Sequence, residues 1–442
     1  MVAFKEFQLR RQSVLDKIGD GVAILSNSVE SSRNRDCNYP FRSDSYFHYL
    51  SGFPEPGAVI FLVGGSQPKS IIFCKDKDKE KEIWDGYIYG PKEAAKKFLF
   101  DESYSLDELN QLAPKILKNH AVNKSIYCLS PLTLASSSVQ DLAKIQAWTG
   151  KKTIENELKN LSHILDVMRQ VKSDGEINIM QKSADIASKA HIYAMGITKP
   201  GKFEYQIEGE ILNQFIQCGA RNPAYSSIVA SGKNACTLHY IENNSLLTAG
   251  DLLLIDAGCE LHSYASDITR TYPINGKFSS PQKDIYQIVL DAQKAAINKV
   301  TPGNFFDDPH KAATNIIVDG LIDLNILKAS RDEAIEKELY KEFFMHRTSH
   351  WLGLDVHDAG IYQEDSSDNG GLLPIKFSPN NVLTVEPGCY INPSDNVPEE
   401  FWGIGVRIED DVIVQESGNK VLSINAPKEI EDLEAIIGIM NE

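Results

Sequence analysis

The sequence predicts an α/β domain followed by an α+β domain, and three observations carry that expectation. Over residues 1–172, short apolar runs of strand length alternate with helical patterns. Over 173–442, helical patterns give way to apolar runs bounded by Gly, Pro or Asn. The charge divides at the same place, with a formal +3 over 1–172 and −19 over 173–442 out of a total of −16. A chain of 442 residues has room for more than one domain of ordinary size.

In the first half GVAILS (21–26), AVIFLVG (58–64), SIIFC (70–74) and SIYCLS (125–130) are strand-like. Between and after them KEAAKKFL (92–99), SLDELNQLAPKIL (105–117) and SVQDLAKIQAW (138–148) repeat at helical spacing. From Thr153 a long helical pattern runs through IENELKNLSHILDVMRQ, and the polar break KSDGE (172–176) separates it from a second helix, INIMQKSADIASKAHIYAMG. The boundary is therefore expected near 165–175, giving domains 1–172 and 173–442. In the second domain LLLIDAG, LTVEPG and GIGVRIEDDVIV read as strands, and the acidic stretch EDSSDNGG (364–371) reads as a solvated loop.

Composition narrows the function classes. Hydrophobic residues make up 42% and charged residues 24%, values of a packed globular chain rather than a disordered one. No apolar run is long enough to cross a membrane or to form a secretory leader, so the expectation is a soluble, unprocessed, cytoplasmic protein. Seven scattered cysteines without CxxC spacing point to neither a disulfide framework nor a thiolate zinc site. A net charge of −16 disfavours nucleic acid and anionic membranes as partners and directs attention to cations.

The acidic half supplies a candidate cation site. Asp256 ends the apolar run Leu252 to Ile255, and Asp267 lies in SYASDITRTY beyond the turn-like CELH (259–262). A hairpin pivoting between Leu261 and His262 sets Asp256 opposite Asp267, and two like charges at cross-strand distance need a cation. Two strand aspartates taken alone are more often a turn cap and an exposed side chain. HRTSHWLGLDVHD then adds His346, His350 and His357, three of the ten histidines, within twelve residues. The zinc-protease pattern HExxH is absent, because Arg347 stands where its glutamate would be. Glu386 in VLTVEPG precedes Pro387 and shares a strand face with Thr384. In GIGVRIEDD the same alternation places Arg407 on the face of Glu409, where a guanidinium orients that carboxylate unless the two form a simple surface pair. Asp256, Asp267, His350, Glu386 and Glu409 thus offer four carboxylates and an imidazole, whose charge two divalent ions neutralise; oxygen-rich ligation favours manganese.

At these residues the sequence resembles the pita-bread metallopeptidases, and among them the aminopeptidase P group. The family's ordered ligands Asp, Asp, His, Glu, Glu fall on Asp256, Asp267, His350, Glu386 and Glu409, in LLIDAG, SDITRTY, SHWLGLDVHD, LTVEPG and GVRIEDD. NYPFRSDSYFHYLSGFPEPGAV (38–59) resembles the family's non-catalytic amino-terminal domain, and MRQVKSDGEI (168–177) its domain junction, so the likeness spans nearly the whole chain. The resemblance implies a pita-bread catalytic domain and an Xaa-Pro aminopeptidase, acting on peptides with proline second through a hydroxide bridging two metal ions. It implies that His239 in ACTLHY and His357 meet the substrate and its tetrahedral intermediate, that His346 shapes the proline pocket, and that Glu386 is the general base. It also implies a dimer or tetramer, with Trp84 of KEIWDGYIYG approaching a neighbouring subunit's site; the alternative is a Trp84 packed inside its own domain. One departure is Arg347, where relatives commonly have Gly, which changes the charge of the pocket rim. Prolidase has close metal motifs, a methionine aminopeptidase would not need the first 170 residues, creatinase-like enzymes lack the ligands, and a silent binding module would not need to keep all five.

Overall fold

The structure, a computed structural model, describes residues 2–120, 125–129, 138–150, 158–365 and 371–441. It divides into two compact units, Met1–Arg169 and Gln170–Glu442.

The first unit is built on a mixed six-stranded sheet, in the order Glu102–Ser105, Lys69–Cys74, Val59–Val63, Val22–Ser26, Ile126–Cys128, Leu158–Asn160. Val22–Ser26 and Val59–Val63 are buried at every position, which is why they read as continuous apolar runs rather than alternating ones. They pair antiparallel, Ile24 opposite Phe61, while Val22 pairs parallel with Ile126. Helices Leu109–His120 and Ser138–Thr149 close one face over Phe61 and Phe73, the second helix setting Trp148 against Phe61. Two strands were not legible as such. Glu102–Ser105 is a short polar edge strand, and Ser105 is the cap of the following helical turn rather than its first residue. The helical pattern from Thr153 is interrupted: Leu158–Asn160 pairs with Ile126–Cys128, and the helix itself is Ser162–Gln170, with Asn160 Oδ1 accepting the Ser162 N–H at 2.9 Å. Residues 153–157 of that pattern lie outside the described residues, as does Ser130.

The second unit runs helix, helix, strands and then repeats that order. Asp174–Ile197 and Glu204–Gln217 precede the antiparallel sheet Ile228–Ser231, Leu252–Asp256, Thr269–Pro273. Ser280–Ile297 and Asp308–Asp323 precede the sheet Val382–Val385, Asp410–Val414, Asn419–Val421 and the pair Gly388–Ile391 with Ile404–Arg407. The second helical pair corrects the simpler expectation of helices first and strands afterwards. The polar stretch KSDGE is a helix start rather than a gap: Ser173 Oγ accepts the Glu176 N–H, and Glu176 Oε2 accepts the Ser173 N–H at 2.9 Å. Residues 366–370 of the acidic stretch lie outside the described residues, and on either side Gln363–Asp365 and Leu372–Pro374 pair as strands. All seven cysteines carry free thiols. Among the described residues no helix is long and apolar enough to cross a membrane.

Candidate metal centre

Asp256 terminates the central strand of its sheet, buried and paired with both Ile228 and Thr269. The hairpin register differs from the expected one. Leu261 pairs with Tyr264, and the turn is His262–Ser263, both at positive φ of 49° and 70°, so Asp256 faces Thr269 and not Asp267. Asp267 instead lies in the irregular segment just before Thr269. Gly258 permits this: a Cβ there would sit 1.7 Å from the Ser266 carbonyl oxygen, so only glycine lets the two arms close. The two carboxylates then come close enough to share one partner, with the Tyr225 hydroxyl 2.6 Å from Asp256 Oδ1 and 2.6 Å from Asp267 Oδ1.

The histidine segment is not helical at 348–351, and Trp351 bridges antiparallel to Leu383. It runs beside Val382–Val385, with the Thr384 N–H donating to the His350 carbonyl and the Glu386 N–H to the Thr348 carbonyl. The His350 N–H donates in turn to Thr384 Oγ1, which uses the strand face shared by Thr384 and Glu386. His350 Nδ1 lies 3.0 Å from the Trp351 carbonyl, which assigns the proton to Nδ1 and leaves Nε2 as a lone pair. That lone pair sits 3.4 Å from Asp267 Oδ2 and 3.6 Å from Glu386 Oε1. Acceptors facing acceptors at that distance are repulsive unless a cation stands among them.

Glu409 follows Ile404–Arg407 and is fixed from its backbone: its N–H donates to the Thr269 carbonyl, and Arg270 Nη1 donates to its own carbonyl. Its Oε2 accepts the Thr269 hydroxyl at 2.6 Å. Asp267, His350 and Glu409 each turn one ligand atom into a single cluster, all within 4.8 Å of one another. Arg407 serves a different carboxylate from the one its spacing suggested. Its Nη2 donates to Asp256 Oδ2 at 2.8 Å, Nη1 to the Tyr390 hydroxyl and Nε to Thr269 Oγ1, so it reaches Glu409 only through Thr269.

His346 Nε2 meets the Tyr390 hydroxyl at 2.8 Å, its Nδ1 the Arg347 carbonyl, and its ring lies 3.9 Å from Glu386 Oε2. His357 stacks on His350 with centroids 4.0 Å apart. Together with His239, Arg347 and Tyr362 they line a cavity of about 430 Å³ that holds all five candidate ligands. Tyr225, Thr269 and Tyr390 support the site but carried no spacing signal, since each is brought in by pairing between distant segments.

Electrostatics make the same demand as geometry. Burial, reinforced by Asp256, pushes the Asp267 carboxyl well above the carboxylate range, and burial with Asp267 does the same to Glu409. Burial and Glu409 push Glu386 up to about 8. Burial pulls His346 and His357 down to about 4, the latter helped by His350. A buried set of acids that resist ionising together, around an imidazole lone pair, is the donor chemistry of a hard divalent cation site.

Relatives match this chain from end to end. Residues 178–416 match metallopeptidase family M24, and residues 7–127 match the aminopeptidase P N-terminal domain. The Xaa-Pro aminopeptidase of Haemophilus influenzae is 44% identical over 441 residues, 98% of this chain and 97% of that one. The solved aminopeptidase PepP of Pseudomonas aeruginosa superimposes with a TM-score of 0.91 at 39% identity, covering 100% of this chain and 99% of its own. Zinc-substituted Escherichia coli aminopeptidase P in complex with product gives 0.89 at 37% identity over 98% of each chain. With both halves matched and the fold shared throughout, the chain belongs to metallopeptidase family M24, in its aminopeptidase P group.

Proposed function

We propose that this protein is an Xaa-Pro aminopeptidase, a metal-dependent hydrolase that cuts the bond between an N-terminal residue and a following proline. The observation that carries the reading is the convergence of Asp267, His350 and Glu409 within 4.8 Å, beside Asp256 and Glu386, on one cavity wall. Asp256, Asp267, His350, Glu386 and Glu409 would hold two divalent ions, with manganese preferred by the oxygen-rich set. Bound there, such ions lower the pKa of a water and polarise the scissile carbonyl.

The chain's own groups do the rest. Glu386, a carboxylate on the cavity wall beside His350, would take a proton from water and return it to the departing prolyl nitrogen. His357 and His239, on the cavity wall, donate to the developing oxyanion. His346, held between Tyr390 and the Arg347 carbonyl, presents a fixed ring edge to the proline. Arg407 holds the Asp256 carboxylate in place through Nη2. Four carboxylates with two dications leave no surplus positive charge, so the free α-amine of a peptide N-terminus suits the site, which explains exopeptidase action. Residues 173–442 carry this chemistry, and the protein works in the cytoplasm as a dimer or tetramer. Asp267→Ala and Glu409→Ala are expected to lose metal and at least about a thousandfold in kcat/KM while the far-ultraviolet circular dichroism stays unchanged. Variants that keep both full metal content and substantial turnover would refute the assignment.

A further inference from the structure

Two guanidinium groups reach the wall of the catalytic cavity, and they are employed differently. Arg407 is buried and spends Nε, Nη1 and Nη2 on Thr269, Tyr390 and Asp256. The Arg347 side chain is 63% exposed, and its one side-chain partner is Asp307, held by Nη2. Its Nε and Nη1 have no partner among the described residues. The arm is nonetheless fixed at both ends. Its backbone carbonyl accepts from His346 Nδ1, and that ring is 3.9 Å from Glu386 Oε2, so Arg347 follows directly on a residue at the metal cluster.

From these facts we infer that Arg347 is a specificity-determining residue that receives the C-terminal carboxylate of short substrates. The inference rests on the peptidase reading above and deepens it. A substrate whose α-amine and first carbonyl sit at the carboxylate cluster runs outward past its proline. In a tripeptide the terminal carboxylate lies two residues further on, roughly 7 Å in an extended chain. Arg347 lies one residue, roughly 4 Å along the backbone, beyond the histidine at the cluster, and its planar fork offers carboxylate geometry that a lysine would not. The net charge of −16 opposes an anionic peptide terminus, so any preference for one requires a local cation, and Arg347, with Nε and Nη1 left over beyond its Asp307 pair, is the less committed of the two guanidinium groups on the wall.

The test compares Ala-Pro-Ala as the free acid with its C-terminal amide, on the manganese-loaded enzyme. The wild type is expected to favour the acid roughly fivefold in kcat/KM, a ratio suited to a solvent-exposed charge-assisted pair. Arg347→Ala is expected to bring the ratio to about one, Arg347→Glu to invert it, and Arg347→Lys to restore it in part. Added salt should shrink the wild-type ratio. Acid-to-amide ratios identical in wild type and Arg347→Ala overturn the inference while leaving the peptidase reading intact. A wild type that cuts neither peptide overturns the peptidase reading and the inference with it.

Discussion

His191 is a fully buried imidazole beneath the site: Nε2 lies 2.9 Å from the Ala257 carbonyl, next to Asp256, and burial pulls its pKa down to about 4. Its folded pKa lies below the unfolded value of 6.5, so the unfolded chain binds more protons between the two. The contribution is neutral above pH 6.5 and turns against folding as pH falls from 6.5 towards about 4, by roughly 3 kcal/mol in full. Denaturant midpoints of wild type and His191→Gln, compared at pH 7 and pH 5 in chelator, should show the wild type losing about 2 kcal/mol more than the variant on acidification. Parallel losses would contradict it. Single residues also carry what signal the sequence holds for the site. The carboxylates and His350 stand out because an apolar strand rarely carries an unpaired charge, whereas Tyr225 and Thr269 are ordinary residues until the fold sets them against Asp256 and Glu409.

At the scale of elements, the loop that carries His357 and Tyr362 is held from the beginning of the same unit. Lys172 and Asp358 form an ion pair at 2.9 Å with both side chains 1% exposed, and the Ile361 N–H donates to Gln170 Oε1. Both residues stand in the stretches MRQVKSDGEI and DVHDAG, so the chain's junction motif is explained by a contact far away in sequence. Lys172→Met takes the buried ammonium away from Asp358, which keeps the Asp355 N–H, and should cost about 3–5 kcal/mol, with the double variant Lys172→Met/Asp358→Leu recovering part of it. A single variant as stable as wild type in chemical denaturation would remove the pair from the account. Element reading from sequence succeeded for the buried strands of the first unit and failed at two kinds of place. One is the edge: Glu102–Ser105 has no apolar pattern because it is only half-buried. The other is register, since the hairpin after Asp256 is set by positive φ at His262 and Ser263, residues that do not advertise a tight turn as Asn-Gly would.

For the whole molecule, the exposed helix Lys79–Asp85 bears on assembly. It buries none of its residues, and Ile83 and Trp84 are 80% and 87% exposed, which rules out the alternative of a Trp84 packed inside its own domain. Exposed large apolar side chains on an otherwise charged segment are the kind of surface that a second subunit covers. Light scattering should give a dimer or tetramer, and Trp84→Ala should weaken it and impair pentapeptides more than tripeptides without changing metal content; a fully active monomer would refute this. The polarity of charge along the chain is plain in the composition, whereas the repeated helix-and-strand order of the second unit is not, because the sequence carries no internal period. The central claim is a metal-dependent cut after the first residue of an N-terminal Xaa-Pro. It is tested most directly by adding manganese back to chelated protein with Ala-Pro-Ala, Ala-Ala-Ala, N-acetyl-Ala-Pro-Ala and the dipeptide Ala-Pro as substrates. The account predicts that activity returns with about two ions per chain and that Ala-Pro-Ala is cut to Ala and Pro-Ala at least about a hundredfold faster than the other three. Equal rates on the alanine or acetylated peptide, preferential cleavage of the dipeptide, or turnover that survives complete metal removal would contradict it.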